Sequence, residues 1–189
     1  PWISRRWSPR SFTDEAVDPA ALRRALEAAR WAASCFNEQP WRYLVADRAT
    51  DPDGHERLAS CLVPANAAWA AKAPLLILVC ARTTFARNEK PNRHAGYDAG
   101  QATAQLALQA AEDGLALHQM AGFDADAARE QCGVPEEYEL LAMIALGHQG
   151  PADALPDDLR EREQSPRARR AQSEFVFGAT YGTAVRTTG

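Results

Sequence analysis

The stretch from Asp98 to Phe123, DAGQATAQLALQAAEDGLALHQMAGF, limits what this chain can fold into more than any other. Between Ala99 and Leu117 the only charges are Glu112 and Asp113, so a helix here is apolar around most of its circumference and belongs in a core or an interface. Ala99, Ala102, Ala107, Ala110 and Ala111 keep it thin enough for close backbone approach, and Gly114 is the weak point near its end. Gln101, Gln105, Gln109, Glu112 and Asp113 interrupt the run, which excludes a membrane span. Beyond the helix, Met120-Ala121-Gly122-Phe123 places a glycine where the chain either turns or exposes backbone N–H groups to a flat ligand.

With 189 residues and 46% hydrophobic composition, the chain suits one domain, residues 1–189, with a substantial core. A net charge of -4 argues against a nucleic-acid surface. No run reaches transmembrane length and PWISRRWSPR has no signal-peptide core, so a soluble cytoplasmic protein without a membrane partner is expected. Cys35, Cys61, Cys80 and Cys132 lie far apart with no CxxC pair, and His55, His94, His118 and His148 are equally scattered. No metal site is expected from these spacings.

In chain order, Arg5, Arg6 and Arg10 surround Trp7, Ser8 and Pro9 in a basic arm in which proline opposes a regular helix. Asp18 as N-cap and Pro19 at the first helical position predict a helix ending near Ser34, with Leu22, Leu26, Ala29 and Ala33 on one face. Trp41 to Ala46 reads as a strand, His55 to Leu62 and Asn66 to Ala73 as helices, and Leu75 to Ala81 as the strongest, fully buried strand. A polar loop fills Arg82 to Tyr97. Asp124 to Gln131 is a short capped helix, Glu139 to Gly147 a further strand candidate, and Pro151 to Glu163 a charged connection. The segment EFVFGATYG suggests an edge strand or a piece docked on another surface.

Two basic clusters near opposite ends, Arg6 with Arg10 and Arg167 with Arg169, admit two readings. Either they are solvated arms, or they converge into a phosphate site held by guanidinium forks. There is no G-x-G-x-x-G after a strand and no Walker-type GK[ST], so a nucleotide would depend on these arginines.

The chain resembles the nitroreductase family of flavin-dependent oxidoreductases in RRWSPRSF, WAASCFNEQPW, NAAWAAKAP, YDAGQATAQLALQAAEDGLALHQMAGF and RARRAQSEFVFGATYG, in that order along nearly the whole length. The resemblance implies an α+β fold with a central mixed, mainly antiparallel sheet flanked by helices. It also implies an intertwined homodimer with an FMN in each of two interface sites. Carried over by position, Arg6 and Arg169 look like phosphate contacts with Arg167 beside them, and Trp7 and Ser8 line the cofactor. Arg10 falls where a basic side chain faces the N1/C2-carbonyl side of the flavin, where negative charge collects on reduction, and is the one catalytic candidate. Asn66 resembles an amide at the pyrimidine edge, although a helix cap is its bland alternative. Ser34, Asn37 and Gln39 resemble residues supplied by the other subunit, while Asn37 could equally bond its own loop. Met120, Ala121 and Gly122 resemble the segment that directs backbone N–H groups toward the ring.

Trp7, Pro9, Ala33, His148 and Gln149 depart from the family's usual pattern. The expected activity is ping-pong hydride transfer from NADH or NADPH through FMN to a nitroaromatic, quinone or similar electron-poor acceptor. The alternatives are a specialised flavin-dependent dehydrogenase, a flavin-destroying relative, or a flavin-binding protein without turnover. Acceptor choice depends on the region from Thr84 to His94 and on Trp69, which the resemblance leaves open.

Overall fold

Strand β2 (Leu75–Arg82) carries the continuous apolar run because both of its faces are covered. The computed structural model describes residues 2–185, excluding the side chain of Trp2. Alternate residues Leu75, Ile77, Val79 and Ala81 face one core cluster, while Leu76, Leu78 and Cys80 face another. The sheet runs β1 (Trp41–Asp47), β2, β4 (Tyr138–Gly147), β3 (Ala116–Met120), and all three pairings are antiparallel. Register follows apolar matching, with Ile77 opposite Ile144 and Leu75 opposite Leu146. Between Val79 paired with Ala142 and Cys80 paired with Leu140, Leu141 is an extra residue that bulges β4. The mainly antiparallel α+β architecture expected from the sequence is therefore observed.

The short helix α1 (Trp2–Arg5) opens the chain, and helices α2 (Pro19–Arg30) and α5 (Ala95–Glu112) cover the first face. On the second face lie α3 (Pro52–Ser60), α4 (Pro64–Ala70) and α6 (Ala125–Cys132). Asp18 caps α2 by accepting from the Ala20 N–H, and Asp124 caps α6 through Ala127. Gly133 ends α6 in the left-handed conformation. Helix α2 stops at Arg30 and not near Ser34, and its buried stripe is Ala21, Ala25 and Ala29, with Leu22 and Leu26 at the border and Ala33 exposed. The small stripe lets α2 lie close against α5, whose own contact residues include Ala99, Ala102 and Ala107.

The central helix also differs from the sequence expectation. It begins at Ala95 and ends at Glu112, short of Leu117, because Gly114 takes a φ of 76° that ends the helix and sends the chain into β3. His118, expected within or just beyond the helix, is therefore a strand residue at the sheet edge. Only one side of α5 is buried, while Gln101, Ala104, Gln105 and Leu108 remain partly or fully exposed. The connection from Pro151 to Glu163 contains another helix, α7 (Asp157–Gln164). Residues Phe175 to Phe177 form no strand among the described residues. That tail folds on itself, with the Phe177 and Tyr181 rings 4.8 Å apart and Gly178 N–H donating to Thr183 O, and it leaves Phe175 exposed.

Candidate functional site

The two arginine clusters meet. Arg167 Nη1 donates to Ser4 O at 2.7 Å and Arg6 O at 2.9 Å, and its guanidinium lies 5.5 Å from the centre of the Trp7 ring. Burial, together with the positive charges of Arg167 and Arg169, pushes the Arg6 guanidinium below its ordinary pKa, as expected for cations gathered at one point. The two clusters therefore lie together and not apart, although Arg167 and Arg169 are themselves exposed. Arg6 Nη1 also donates to Ser8 Oγ at 3.0 Å, which aims that hydroxyl into the same corner. None of Arg6, Arg10, Arg167 and Arg169 takes part in an ion pair among the described residues. A cavity of about 170 Å³ lies beside Arg6, lined by Arg5, Arg6 and Trp7 from the arm and by Ala107, Ala111 and Gly114 from the end of α5 and the turn after it.

Residues 7–13 are held down on several sides. The Glu163 carboxylate accepts from Trp7 Nε1 at 3.3 Å and from the Arg10 backbone N–H at 3.0 Å. His118 donates from Nδ1 to Pro9 O at 2.8 Å, which fixes the tautomer, and its ring lies 4.6 Å from that of Trp69. Burial holds the His118 imidazole below its ordinary pKa, with the Arg10 charge adding to the effect, so the ring is neutral at pH 7. Further along, Ser11 Oγ donates to Pro151 O and Gly150 N–H to Ser11 O. The Arg10 side chain makes no hydrogen bond to the described residues, so a donor fork on an anchored backbone is left for a ligand. Sequence reasoning missed Glu163 and His118, which carry no motif and are recruited from distant segments.

A second cluster joins Asn66 to Gly122. Asn66 sits in the first turn of α4 but does not cap it, because Val63 holds the cap position and the Asn66 Nδ2 donates to Gly122 O at 3.0 Å. Val63 N–H donates to the same carbonyl at 3.2 Å. The N–H groups of Ala121 and Gly122 make no hydrogen bond among the described residues, while Met120 packs in the core beside Trp69. Gly122 has no room for a side chain, since a Cβ there would lie 2.5 Å from Asn66 Nδ2 and 2.9 Å from Val63 Cγ2. Gly122→Ala is therefore expected to displace Asn66 and to lower unfolding stability by about 1–3 kcal/mol. Urea unfolding checks this, and an unchanged midpoint would show that the two loops separate freely.

Ser34, Asn37 and Gln39 lie elsewhere. Phe36, Asn37 and Gln39 all adopt positive φ, at 55°, 57° and 51°, which is costly for residues other than glycine and persists only where the surroundings enforce it. The enforcing bonds are Cys35 N–H to Asp98 Oδ2, Gln39 N–H to Ser34 Oγ, and Arg42 Nη1 to Gln39 O. Gln39 Nε2 donates to both Asn37 O and Asn37 Oδ1, so within one chain these amides do bond their own loop. The loop is tied to Asp98 near the start of α5, whereas the arginine corner touches Ala111 near its end. At 1.5 Å per helical residue the separation is about 20 Å. One chain does not bring the two groups together.

A profile of the nitroreductase family matches residues 3–148, and the chain belongs to that family. A solved structure described as an oxidoreductase containing FMN shares 32% identity, covers 97% of this chain and 92% of its own, and superposes with a TM-score of 0.90. A protein described as a nitroreductase from Desulfovibrio desulfuricans, solved in complex with FMN, shares 28% identity with 95% of each chain covered and a TM-score of 0.72. Among curated sequences, an uncharacterized 15.4 kDa protein from Mycolicibacterium smegmatis is 38% identical over 66% of this chain and 82% of its own length. A Streptomyces coelicolor protein named as an NADH dehydrogenase/NAD(P)H nitroreductase is 27% identical over 73% of this chain and 76% of its own.

Proposed function

We propose that this protein is an FMN-dependent NAD(P)H oxidoreductase acting as a homodimer. The observation that carries the reading is the convergence of Arg6, Arg167 and Arg169 on one corner with no carboxylate among the described residues ion-paired to them. Such a corner suits the dianionic phosphate of FMN. FMN would supply the chemistry, taking a hydride from NADH or NADPH and passing electrons in a second half-reaction to a nitroaromatic, quinone or similar acceptor.

The chain's own groups fit the rest of that cofactor. Arg10, anchored through its backbone and free at its guanidinium, would place positive charge where negative charge develops. Asn66 keeps its Oδ1 available while its Nδ2 holds Gly122, and the Ala121 and Gly122 N–H groups remain as donors. Trp7 and Ser8 would flank the bound group, while Trp69, buried against the Phe12 and His118 rings, supports the residues behind them. Ser34, Asn37 and Gln39 would come from the second subunit, because their own loop sits at the far end of α5. Ala104 and Leu108 on the half-open face of α5, with the exposed Phe175 and Trp31, offer apolar surface that a second copy would cover.

Anaerobic titration of the FMN-loaded protein with NADH and with NADPH tests the reading. Bleaching of the flavin by either donor, followed by recovery on addition of a quinone or nitroaromatic, is the expected result. Flavin inert to both donors would overturn it. Sedimentation at micromolar concentration should give a dimer, and a folded, FMN-loaded monomer would refute the assignment of Ser34, Asn37 and Gln39.

A further inference from the structure

We infer that Glu163 is a positioning residue for the cofactor arm: its buried carboxylate clasps the Trp7 indole and the Arg10 amide and so orders residues 7–10 before any ligand binds. Glu163 is only 8% exposed, and a carboxylate at such a depth needs donors for its oxygens. It finds them on two different residues of the arm, Trp7 Nε1 at Oε1 and Arg10 N–H at Oε2. Between these two points lie Ser8 and Pro9, and the Pro9 carbonyl is gripped from the other side by His118. The clasp therefore fixes the backbone from which Ser8 and Arg10 project.

The role is separable from simple support of α7. That helix has a second anchor besides Glu163, the half-buried Leu159, which packs against the core cluster that also holds Leu155. Beyond Arg10, the arm is tied by Ser11 to residues 150 and 151 without help from Glu163. Loss of the clasp should release residues 7–10 in particular. Carboxylate chemistry is also specific here, because both oxygens accept. A glutamine has one acceptor and one donor, and must turn its NH2 against either the indole N–H or the Arg10 N–H.

This inference rests on the proposed FMN reading only for its effect on affinity, since order in the arm can be read on apoprotein. In Glu163→Gln apoprotein, trypsin is expected to cut after Arg10 about tenfold faster than in wild type, and FMN affinity should fall by about the same factor. Trp7→Phe removes the indole N–H that opposes the new amide, so Glu163→Gln should cost much less protection in a Trp7→Phe background than in wild type. A structural role without the clasp would instead give the same Glu163→Gln effect in both backgrounds. Trp7→Phe by itself, which removes one of the two bonds at little change in volume, should speed cleavage a few-fold and decides the matter if Glu163→Gln does not fold. Equal cleavage of wild type and variants, or additive effects across the cycle, would overturn the inference. If wild type binds no FMN, the functional reading fails while the cleavage comparison still decides the clasp.

Discussion

Arg169→Ala is expected to weaken FMN binding by roughly ten- to a hundredfold, to yield pale protein, and to regain activity when FMN is supplied in excess. A charge-assisted hydrogen bond contributes roughly 1.5–3 kcal/mol, and each 1.4 kcal/mol is about tenfold in affinity. Arg169 suits this test because, among the described residues, its one side-chain hydrogen bond is to the adjacent Ala168 carbonyl, so removing it leaves the fold of the arm alone. Arg167 is different. Its guanidinium ties Ser4 and Arg6 through their carbonyls and covers Trp7, so Arg167→Ala should loosen the arm and weaken riboflavin as well as FMN. Riboflavin, which lacks the phosphate, separates the two: Arg169→Ala should lose most of the preference for FMN over riboflavin. Calorimetric titration of both ligands into apoprotein measures that preference. An Arg169→Ala protein with wild-type FMN affinity and an unchanged preference would leave the phosphate to Arg6 and Ser8.

Local signals in the sequence are legible wherever they are also decisive in the fold. Asp18 with Pro19, Asp124 with Gly133, and the unbroken apolar run of β2 each marked an element that the structure contains, because capping and two-sided burial act within a few residues. Gly114 was visible as a weak point, yet the helix pattern continues in Leu115 and Leu117. Only the positive φ at Gly114 and the pairing of Ala116 with Gly147 show that those residues belong to an edge strand. Tertiary pairing overrode a helical composition there. The site divides in the same way. The arginines and the Asn66 and Gly122 positions could be named from motifs, but their convergence depends on chain ends more than 150 residues apart, which no spacing rule encodes. Glu163 sat in a charged stretch that reads as solvated surface, and only the burial of its carboxylate against Trp7 and Arg10 separates it from its exposed neighbours Glu161 and Arg162.

Arg10→Ala should act on the chemistry more than on binding. The Arg10 backbone is anchored by Glu163, and the guanidinium bonds no other group among the described residues, so its removal leaves the arm in place and takes away one positive charge. The neighbouring His118 does not replace that charge at pH 7, because burial keeps its imidazole neutral. A preorganised cation counts for most where negative charge develops in a partly water-excluded site. Bound FMN in Arg10→Ala should therefore be harder to reduce, with a two-electron potential lower by roughly 30 mV or more, since about 1.4 kcal/mol corresponds to 30 mV in such a couple. The rate of reduction by NAD(P)H should fall with it, while FMN affinity changes far less than in Arg169→Ala. Arg10→Lys, which keeps the charge but not the fork, should lie between the two. Spectroelectrochemical titration together with stopped-flow reduction measures both quantities on the same protein. Wild-type potential and wild-type reduction rate in Arg10→Ala would remove Arg10 from the reaction and leave it as a surface group beside the site.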